Sequence, residues 1–204
     1  MSLAPFVPSP PDVVTTMLQL ADVKKDEELF DLGCGDGRII IEAAQKFGAK
    51  AVGVELDKGH YEECVRRIRE SNLDGRVNVI RGNLLNVDLR SADVVTLYLL
   101  PISNEEVRPK LERELKNGAR VVSHDFPISK WKPNEVKEIK ASWSSHKIYL
   151  YILQFRTEVT ELKEALLTRK PILRRVYNQE KRFLAHTLSH VKRIFRRNTD
   201  QKRR

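Results

Sequence analysis

Three glycines and two carboxylates fall within residues 31–38 of the sequence, which read Asp-Leu-Gly-Cys-Gly-Asp-Gly-Arg. Glycine has no Cβ atom, so such a loop can turn sharply and let its backbone approach a bound group closely. The G-x-G-x-G spacing differs from the G-x-G-x-x-G of dinucleotide-binding loops, and the G-K-[ST] of a phosphate-binding loop is missing. Asp31 and Asp36 favour a sulfonium or an ammonium over a pyrophosphate. The loop therefore predicts a ligand that is positively charged at one end.

Two polar residues at the ends of predicted strands fit the same kind of ligand. Glu55 closes a predicted strand 22 residues after Gly33, where an acidic side chain can accept both hydroxyl groups of a ribose. Asn83 follows the next predicted strand, where its amide can meet an adenine edge. The structural alternative for Glu55 is a solvated acid at a strand end, and the alternative for Asn83 is an ordinary turn residue.

Apolar periodicity and turn residues predict the elements that position these side chains. The sequence predicts a leading helix at 12–21 capped by Asp12, strands at 29–33, 51–55, 77–81, 92–100 and 119–124, and helices at 38–47, 58–71 and 104–116. Alternating strands and helices indicate a parallel sheet covered on both faces. Segments 136–142 and 146–155 add an antiparallel hairpin at the sheet edge. We expect an α/β fold with a doubly wound, seven-stranded mixed sheet.

The composition suits one mid-sized soluble domain, with 204 residues of which 41% are hydrophobic. Its longest apolar runs fall far short of the ~20 residues that span a bilayer, so no membrane span is predicted. The two cysteines, Cys34 and Cys64, do not suggest a disulfide framework. The first residues lack the basic and apolar regions of a secretory signal, and we expect a cytoplasmic protein.

The net charge of +9 is concentrated near the end of the sequence. Residues 157–204 hold 14 Lys+Arg and 5 Asp+Glu, whereas residues 1–156 hold 23 of each. We therefore expect a neutral body, 1–156, and a basic helical tail, 157–204, whose helices are separated at Pro171. Three roles stay open for the tail: docking on the body or a second subunit, binding nucleic-acid phosphates, and lying on an anionic membrane.

Residues 5–155 resemble a known family. The loop at 31–38, followed by Val-Gly-Val-Glu at 52–55, is similar to the seven-strand class I methyltransferases that use S-adenosylmethionine (SAM). Three more segments narrow the resemblance: Pro-Phe-Val-Pro-Ser at 5–9, the stretch 111–127, and Trp-Lys-Pro at 131–133. Together they resemble the small archaeal protein-lysine methyltransferases, which are similar to the mitochondrial lysine methyltransferases and to the SET-less histone lysine methyltransferases.

The resemblance implies SAM as the cofactor and assigns residues to it by position. Asp31 and its loop line the methionine end, Glu55 holds the ribose, and the segment at Pro8 folds over the cofactor. The residues implied in cofactor binding are Ser9, Asp31, Gly33, Cys34, Gly35, Asp36, Gly37, Glu55, Asn83, Leu84 and Leu97. Ser9 departs from the Thr of many relatives, which keeps the hydroxyl and loses a methyl group.

The chemistry of methyl transfer narrows the acceptor. The reaction is an in-line displacement, so the enzyme mostly aligns its reactants and excludes water, which together supply ~7–11 kcal/mol. After the fourth strand the chain reads Tyr-Leu-Leu-Pro at 98–101, which lacks the polar residue that holds a base amine. Cys34 and Cys64 are not placed as a nucleophile, and no carboxylate cluster has metal-ligand spacing, so no metal is predicted.

A lysine acceptor demands less of the protein. An amine of pKa ~10.4 is neutral about once in 2,500 at pH 7, a deficit of ~4.6 kcal/mol that burial and a nearby sulfonium reduce. We expect Tyr98 or Asp125 to act as the catalytic group that accepts a hydrogen bond from the amine, with core and solvated positions as the alternatives. The predicted walls of the apolar channel are Val95, Leu97, Tyr98, Leu99, Phe126 and Trp131.

The sequence therefore predicts a SAM-dependent methyltransferase that acts on protein lysines. An RNA methyltransferase, and a non-catalytic nucleic-acid-binding adaptor on the same fold, are the alternative functions.

Overall fold

The computed structural model describes residues 6–141 and 144–154. The described residues form four α-helices and seven strands, which alternate up to the fifth strand except that no α-helix lies between the third and fourth strands. The helices are α1 (Pro11–Leu20), α2 (Arg38–Phe47), α3 (Lys58–Glu70) and α4 (Pro101–Glu114). The strands are β1 (Glu28–Leu32), β2 (Lys50–Glu55), β3 (Val77–Arg81), β4 (Val94–Leu97), β5 (Arg120–His124), β6 (Glu135–Ala141) and β7 (Ser144–Ile152). A short 3₁₀ turn, Leu84–Asn86, follows β3.

All seven strands join one sheet in the order β3-β2-β1-β4-β5-β7-β6. The first five of these are parallel, and β7 pairs antiparallel with both β5 and β6. The carboxyl ends of the parallel strands therefore meet at one edge of the sheet. The chain order reverses between β1 and β4, which is where open α/β sheets have their ligand crevice. The predicted fold class is confirmed.

Buried side chains on the two faces of the sheet form two clusters, because successive strand residues point to opposite sides. Leu29 belongs to the cluster that packs α1, α2 and α3 against one face. Phe30 belongs to the second cluster, which includes Val107 and Leu111 of α4. The sheet is thus covered on both faces, and its functional residues are confined to the strand ends. None of the helices described combines the length and apolar character that a bilayer span requires.

Several element boundaries differ from the prediction, and some of them show a physical reason. Helix α1 begins at Pro11 without a side-chain cap, so Asp12 lies in its first turn. Strand β4 stops at Leu97, the partner of Leu32, because β1 ends there and offers no further backbone groups. Helix α4 begins at Pro101, since the fixed φ of proline suits the first helical position. Strand β7 ends at Ile152, before the predicted end at 155, because its partner there is Arg120, where β5 begins. The boundary at 156 and the basic tail lie outside the described residues.

The loop between β1 and α2 adopts the left-handed backbone that its glycines permit. Gly33, Gly35 and Gly37 have φ values of +85°, +55° and +79°. A Cβ on Gly33 would lie 3.1 Å from the Leu99 side chain, and one on Gly35 would overlap the Phe6 ring. A Cβ on Gly37 would overlap the sulfur of the buried Cys64. In the described residues, protein side chains thus occupy the space beside Gly35 and Gly37, whereas Gly33 lines the cavity described below.

Replacing Gly37 by alanine should lower the free energy of unfolding by about 2 kcal/mol or more, through backbone strain plus overlap with Cys64. The matched control is Gly118→Ala, because Gly118 also has a positive φ (+85°) and has no atom within 4 Å of its Cβ position. The control should lose only the strain, about 1 kcal/mol. Denaturant titrations of both variants measure the difference, and equal losses would contradict the overlap with Cys64.

Candidate active site

A cavity of about 280 Å³ opens at the carboxyl ends of β1, β2 and β4. Its walls come from the segment before α1, the loop after β1, and the residues that follow β2, β3 and β4. Those that the argument uses are Phe6, Ser9, Asp31, Gly33, Cys34, Asp36, Glu55, Asn83, Leu84, Tyr98 and Leu99. Eight of the eleven predicted cofactor residues therefore line one cavity.

Asp31 is a buried carboxylate with only one of its oxygens paired. Its Oδ1 accepts a hydrogen bond of 2.7 Å from the Thr96 hydroxyl of β4. Its Oδ2 is buried and makes no hydrogen bond within the described residues. Burial, together with the charges of Glu55 and Asp36, raises the pKa of Asp31 to about 7 although the Thr96 hydrogen bond lowers it. The unpaired oxygen fits a cationic or hydrogen-bond-donating ligand group, because pairing it would offset the cost of its burial.

Glu55, at the end of β2, holds the glycine loop in place. Its Oε2 accepts from the Gly35 amide and its Oε1 from the Asp57 amide, each at 2.8 Å. A carboxylate has about four lone-pair sites, so both oxygens can still accept from a ligand hydroxyl. Glu55 can therefore bind a ribose and at the same time fix the loop beneath it.

Asp36 does not provide the free negative charge that its position in the loop predicts. It forms ion pairs with Arg38 (2.7 Å) and Arg67 (2.6 Å). Burial alone would raise the pKa of Asp36, but the hydrogen bond from Arg38 and the two positive charges lower it. Asp36 lines the cavity as a neutralised group, so Asp31 is the carboxylate of residues 31–38 that is left for a cationic ligand.

Three predicted cofactor residues do not line the cavity. Gly35 donates its amide N–H to Glu55, and Gly37 is the N-cap residue that precedes α2. Leu97 is fully buried in the core cluster beneath α4, because the strand alternation turns it away from the ligand side. Asn83 lines the cavity and also caps the 3₁₀ turn, its Oδ1 accepting from the Leu85 amide at 2.9 Å.

The segment before α1 forms one wall of the cavity. Ser9 is buried, and its backbone oxygen accepts a hydrogen bond of 2.7 Å from the Arg38 guanidinium. Its hydroxyl lies 2.9 Å from Nδ1 of His124 at the end of β5. Upstream, the Phe6 ring packs on His60 of α3 with 4.2 Å between ring centroids. Phe6 and Ser9 thus tie this segment to α2, α3 and β5 at the cavity wall.

The side of the cavity toward β5 is aromatic. The Tyr98 ring packs on His124 (3.9 Å between centroids) and stacks with Phe126 at 6.4 Å. The Tyr98 hydroxyl donates to Asp125 Oδ2 at 3.4 Å, a long hydrogen bond. Of the other predicted channel walls, Leu99 lines the cavity, whereas Val95 and Leu97 are buried in the core. Trp131 packs on Tyr151 and donates its indole N–H to Glu112, so it belongs to the core beside α4.

A group of polar residues beside Tyr98 was not foreseen as a group from the sequence. His124, Asp125 and His146 lie together, because β7 runs antiparallel beside β5 and brings His146 back to the strand end. Burial and the neighbouring His146 lower the pKa of His124 to about 4, although Asp125 opposes this. Burial would raise the pKa of Asp125, but hydrogen bonds from the Lys147 amide and His146 lower it. The sequence does contain a signal for this group, because His124 ends one predicted strand with Asp125 directly after it, and His146 lies in the hairpin that follows.

Comparisons with known proteins agree with this geometry. The family model for the ANTKMT methyltransferase domain matches residues 31–135. A protein-lysine N-methyltransferase of Saccharolobus islandicus is 47% identical over 150 residues, covering 73% of this chain and 93% of that protein. The adenine nucleotide translocase lysine N-methyltransferase of Mus musculus is 35% identical over 106 residues, covering 52% of this chain and 46% of the mouse protein. The match to the mouse protein therefore spans about half of its length.

A solved structure gives the match in three dimensions. An RNA methyltransferase of Salinibacter ruber, in complex with S-adenosyl-L-homocysteine, superimposes with a TM-score of 0.70 and 38% sequence identity. The match covers 74% of this chain and 96% of that one.

The raised pKa of Asp31 predicts a distinctive pH dependence of stability. The folded chain binds this proton more tightly than the unfolded chain, so the contribution of Asp31 is complete below about pH 4 and is lost as the pH rises through about 7. The loss amounts to about 4 kcal/mol for a shift of this size. Urea titrations of the ligand-free chain from pH 4 to pH 8 should show that Asp31→Asn removes this part of the pH dependence.

Asp88→Asn is the control, because Asp88 is an exposed carboxylate whose pKa is lowered to about 2 by hydrogen bonds from Arg90. This control should leave the pH dependence above pH 4 unchanged. An Asp31→Asn chain whose stability varies with pH as the parent's does would show that Asp31 is ionised throughout.

Proposed function

This chain belongs to the ANTKMT methyltransferase family and uses SAM, and we propose that it methylates lysine side chains of proteins. The single observation that carries the lysine acceptor is Tyr98 in the cavity wall, next to Leu99 and with its ring stacked on Phe126. The similarity to protein-lysine methyltransferases supports the same acceptor. Protein substrates follow from this proposal.

The described residues fit SAM at three points. Asp31 Oδ2, buried and unpaired, is suited to the ammonium of the methionine moiety. Glu55 is suited to the ribose hydroxyls, and Asn83 with Leu84 lies on the side where the adenine belongs. SAM supplies an electrophilic methyl group when it is bound. Because Asp31 is partly protonated at neutral pH in the ligand-free chain, binding of a cationic group there favours release of its proton.

Tyr98 is the proposed catalytic residue, with Asp125 as the residue that positions it. The Tyr98 hydroxyl directs its proton toward Asp125 Oδ2, which leaves oxygen lone pairs to accept a hydrogen bond from the substrate amine. Asp125 Oδ2 also faces His124 and His146, so it is less available to the substrate than the sequence suggests. Leu99 and Phe126 keep the surroundings apolar, which favours the neutral, nucleophilic amine over the ammonium.

RNA is the second candidate acceptor, and the similarity to the Salinibacter ruber RNA methyltransferase favours it. The basic excess of residues 157–204 supports nucleic-acid binding by that segment, which also suits recruitment of proteins that are bound to nucleic acid. The apolar Leu99 and Phe126 beside Tyr98 argue for a flexible alkyl amine as the acceptor, because a base edge presents several polar atoms that each need a partner.

Replacing Tyr98 by phenylalanine should lower kcat about 10- to 100-fold toward a lysine-containing protein, because the amine loses its hydrogen-bond acceptor. The dissociation constant for S-adenosylhomocysteine should stay within about twofold, because Asp31 and Glu55 are unchanged. Steady-state kinetics at saturating SAM and calorimetry make the two measurements. Tyr61→Phe on α3 is the matched control and should keep the parent rate. A Tyr98→Phe enzyme with the parent kcat would remove Tyr98 from the mechanism.

Incubating the full chain with SAM labelled in its methyl group and a cell lysate distinguishes the acceptors. We expect the label in macromolecules to be lost on protease treatment and retained after ribonuclease. Hydrolysis of the labelled protein should release methylated lysine. The reaction should be run at low and moderate salt, because phosphate contacts weaken steeply with salt. Label lost to ribonuclease alone would refute the lysine proposal and establish the RNA acceptor.

A further inference from the structure

Three side chains beside Tyr98 present one atom each to a common point. His124 Nε2 and His146 Nδ1 are 3.0 Å apart, His146 Nδ1 and Asp125 Oδ2 are 3.0 Å apart, and His124 Nε2 and Asp125 Oδ2 are 3.3 Å apart. The three atoms therefore form a nearly equilateral triangle. Two nitrogens and one carboxylate oxygen in this arrangement are the donor set of a divalent transition metal.

The size of the triangle matches tetrahedral coordination. Metal-ligand bonds of about 2.0–2.1 Å at tetrahedral angles place neighbouring ligand atoms roughly 3.3 Å apart. The separations here fall within a few tenths of an ångström of that value. The Tyr98 hydroxyl lies 3.4 Å from Asp125 Oδ2 and is therefore a neighbour of this group.

Each of the three side chains is also held from behind. His124 Nδ1 lies 2.9 Å from the Ser9 hydroxyl, and His146 Nε2 lies 2.8 Å from the Ser144 hydroxyl. Asp125 Oδ1 accepts from the Lys147 amide at 3.0 Å. With these partners the outer nitrogen of each imidazole can donate its proton to a hydroxyl, which leaves the inner nitrogen with a lone pair directed at the common point. Such outer contacts are typical of metal ligands and orient them.

We propose that His124, Asp125 and His146 bind a divalent transition-metal ion, with Zn²⁺ the best match to two imidazoles and one carboxylate. The site joins the end of β5 to the start of β7. Through the hydrogen bond between His124 and Ser9 it also reaches the segment that walls the cofactor cavity. A bound metal would hold His124 in place and, through its hydrogen bond, Ser9. It would thereby stabilise the side of the cavity next to Tyr98.

Titrating the metal-stripped full chain with Co²⁺ tests the site directly. We expect the visible absorption of tetrahedral Co²⁺ to saturate at about one equivalent and to disappear when Zn²⁺ replaces it. His146→Gln should weaken Co²⁺ binding about 100-fold or more, because it removes a ligand. Ser144→Ala should weaken it about 10-fold, because it frees the outer nitrogen of His146. The neighbouring Ser145 bonds Glu138 instead, so Ser145→Ala is the matched control and should bind as the parent does.

A double variant, His186→Gln with His190→Gln, removes the two remaining histidines of the sequence other than His60. It should keep the parent affinity and absorption. Circular dichroism and thermal unfolding verify that each variant is folded. Zn²⁺ should raise the Tm of the parent and should leave the Tm of the His146→Gln variant unchanged. Co²⁺ binding that survives His146→Gln, or that is lost in the 186 and 190 variant, would overturn the proposal. Absence of Co²⁺ binding to the folded parent would do so as well.

Discussion

The organisation of the cavity depends on burying the Asp31 carboxylate with one oxygen unpaired. Such a group is costly, and β4 offsets part of the cost through the Thr96 hydroxyl, which reaches Asp31 because β1 and β4 are adjacent and in register. The remaining oxygen faces the point where the strand order reverses. A cation bound there offsets the rest, which explains why this chain suits a cofactor with a positively charged methionine end.

The surrounding charges direct the cation to Asp31. Arg38 and Arg67 neutralise Asp36, so the loop has a single carboxylate free for a ligand. Arg38 also binds the backbone of Ser9, so the group that neutralises the loop fixes the segment that walls the cavity. Glu55 is similarly shared between the glycine loop and the site expected for the ribose. Arg38 and Glu55 thus both hold the glycine loop and shape the ligand site. Substituting either residue would disturb the loop and the site together.

Much of the fold, and most of the residues that line the cavity, were predictable from the sequence. Asp31 and Glu55 end strands that apolar periodicity identifies, and parallel strand ends must meet at one edge of the sheet. Errors arose where a long-range partner decides the outcome. Strand β4 is shorter than its apolar run because β1 offers no partner beyond Leu32. The Leu97 side chain points into the core because successive strand residues alternate in direction. Resemblance to a family motif does not show which way a side chain points.

The sequence by itself determined the helices and strands and the carboxylates that line the cavity, because these follow from local periodicity and from spacing along the chain. The class of enzyme followed from the resemblance of its motifs to a known family. Only the tertiary structure decided which atoms meet. The Phe6 ring fills the space beside Gly35, and His146 reaches His124 across an antiparallel pair of strands. Such contacts join residues far apart in sequence, and they depend on side-chain volume and register. Neither the available volume nor the strand register can be derived from the residues that neighbour these positions in the sequence.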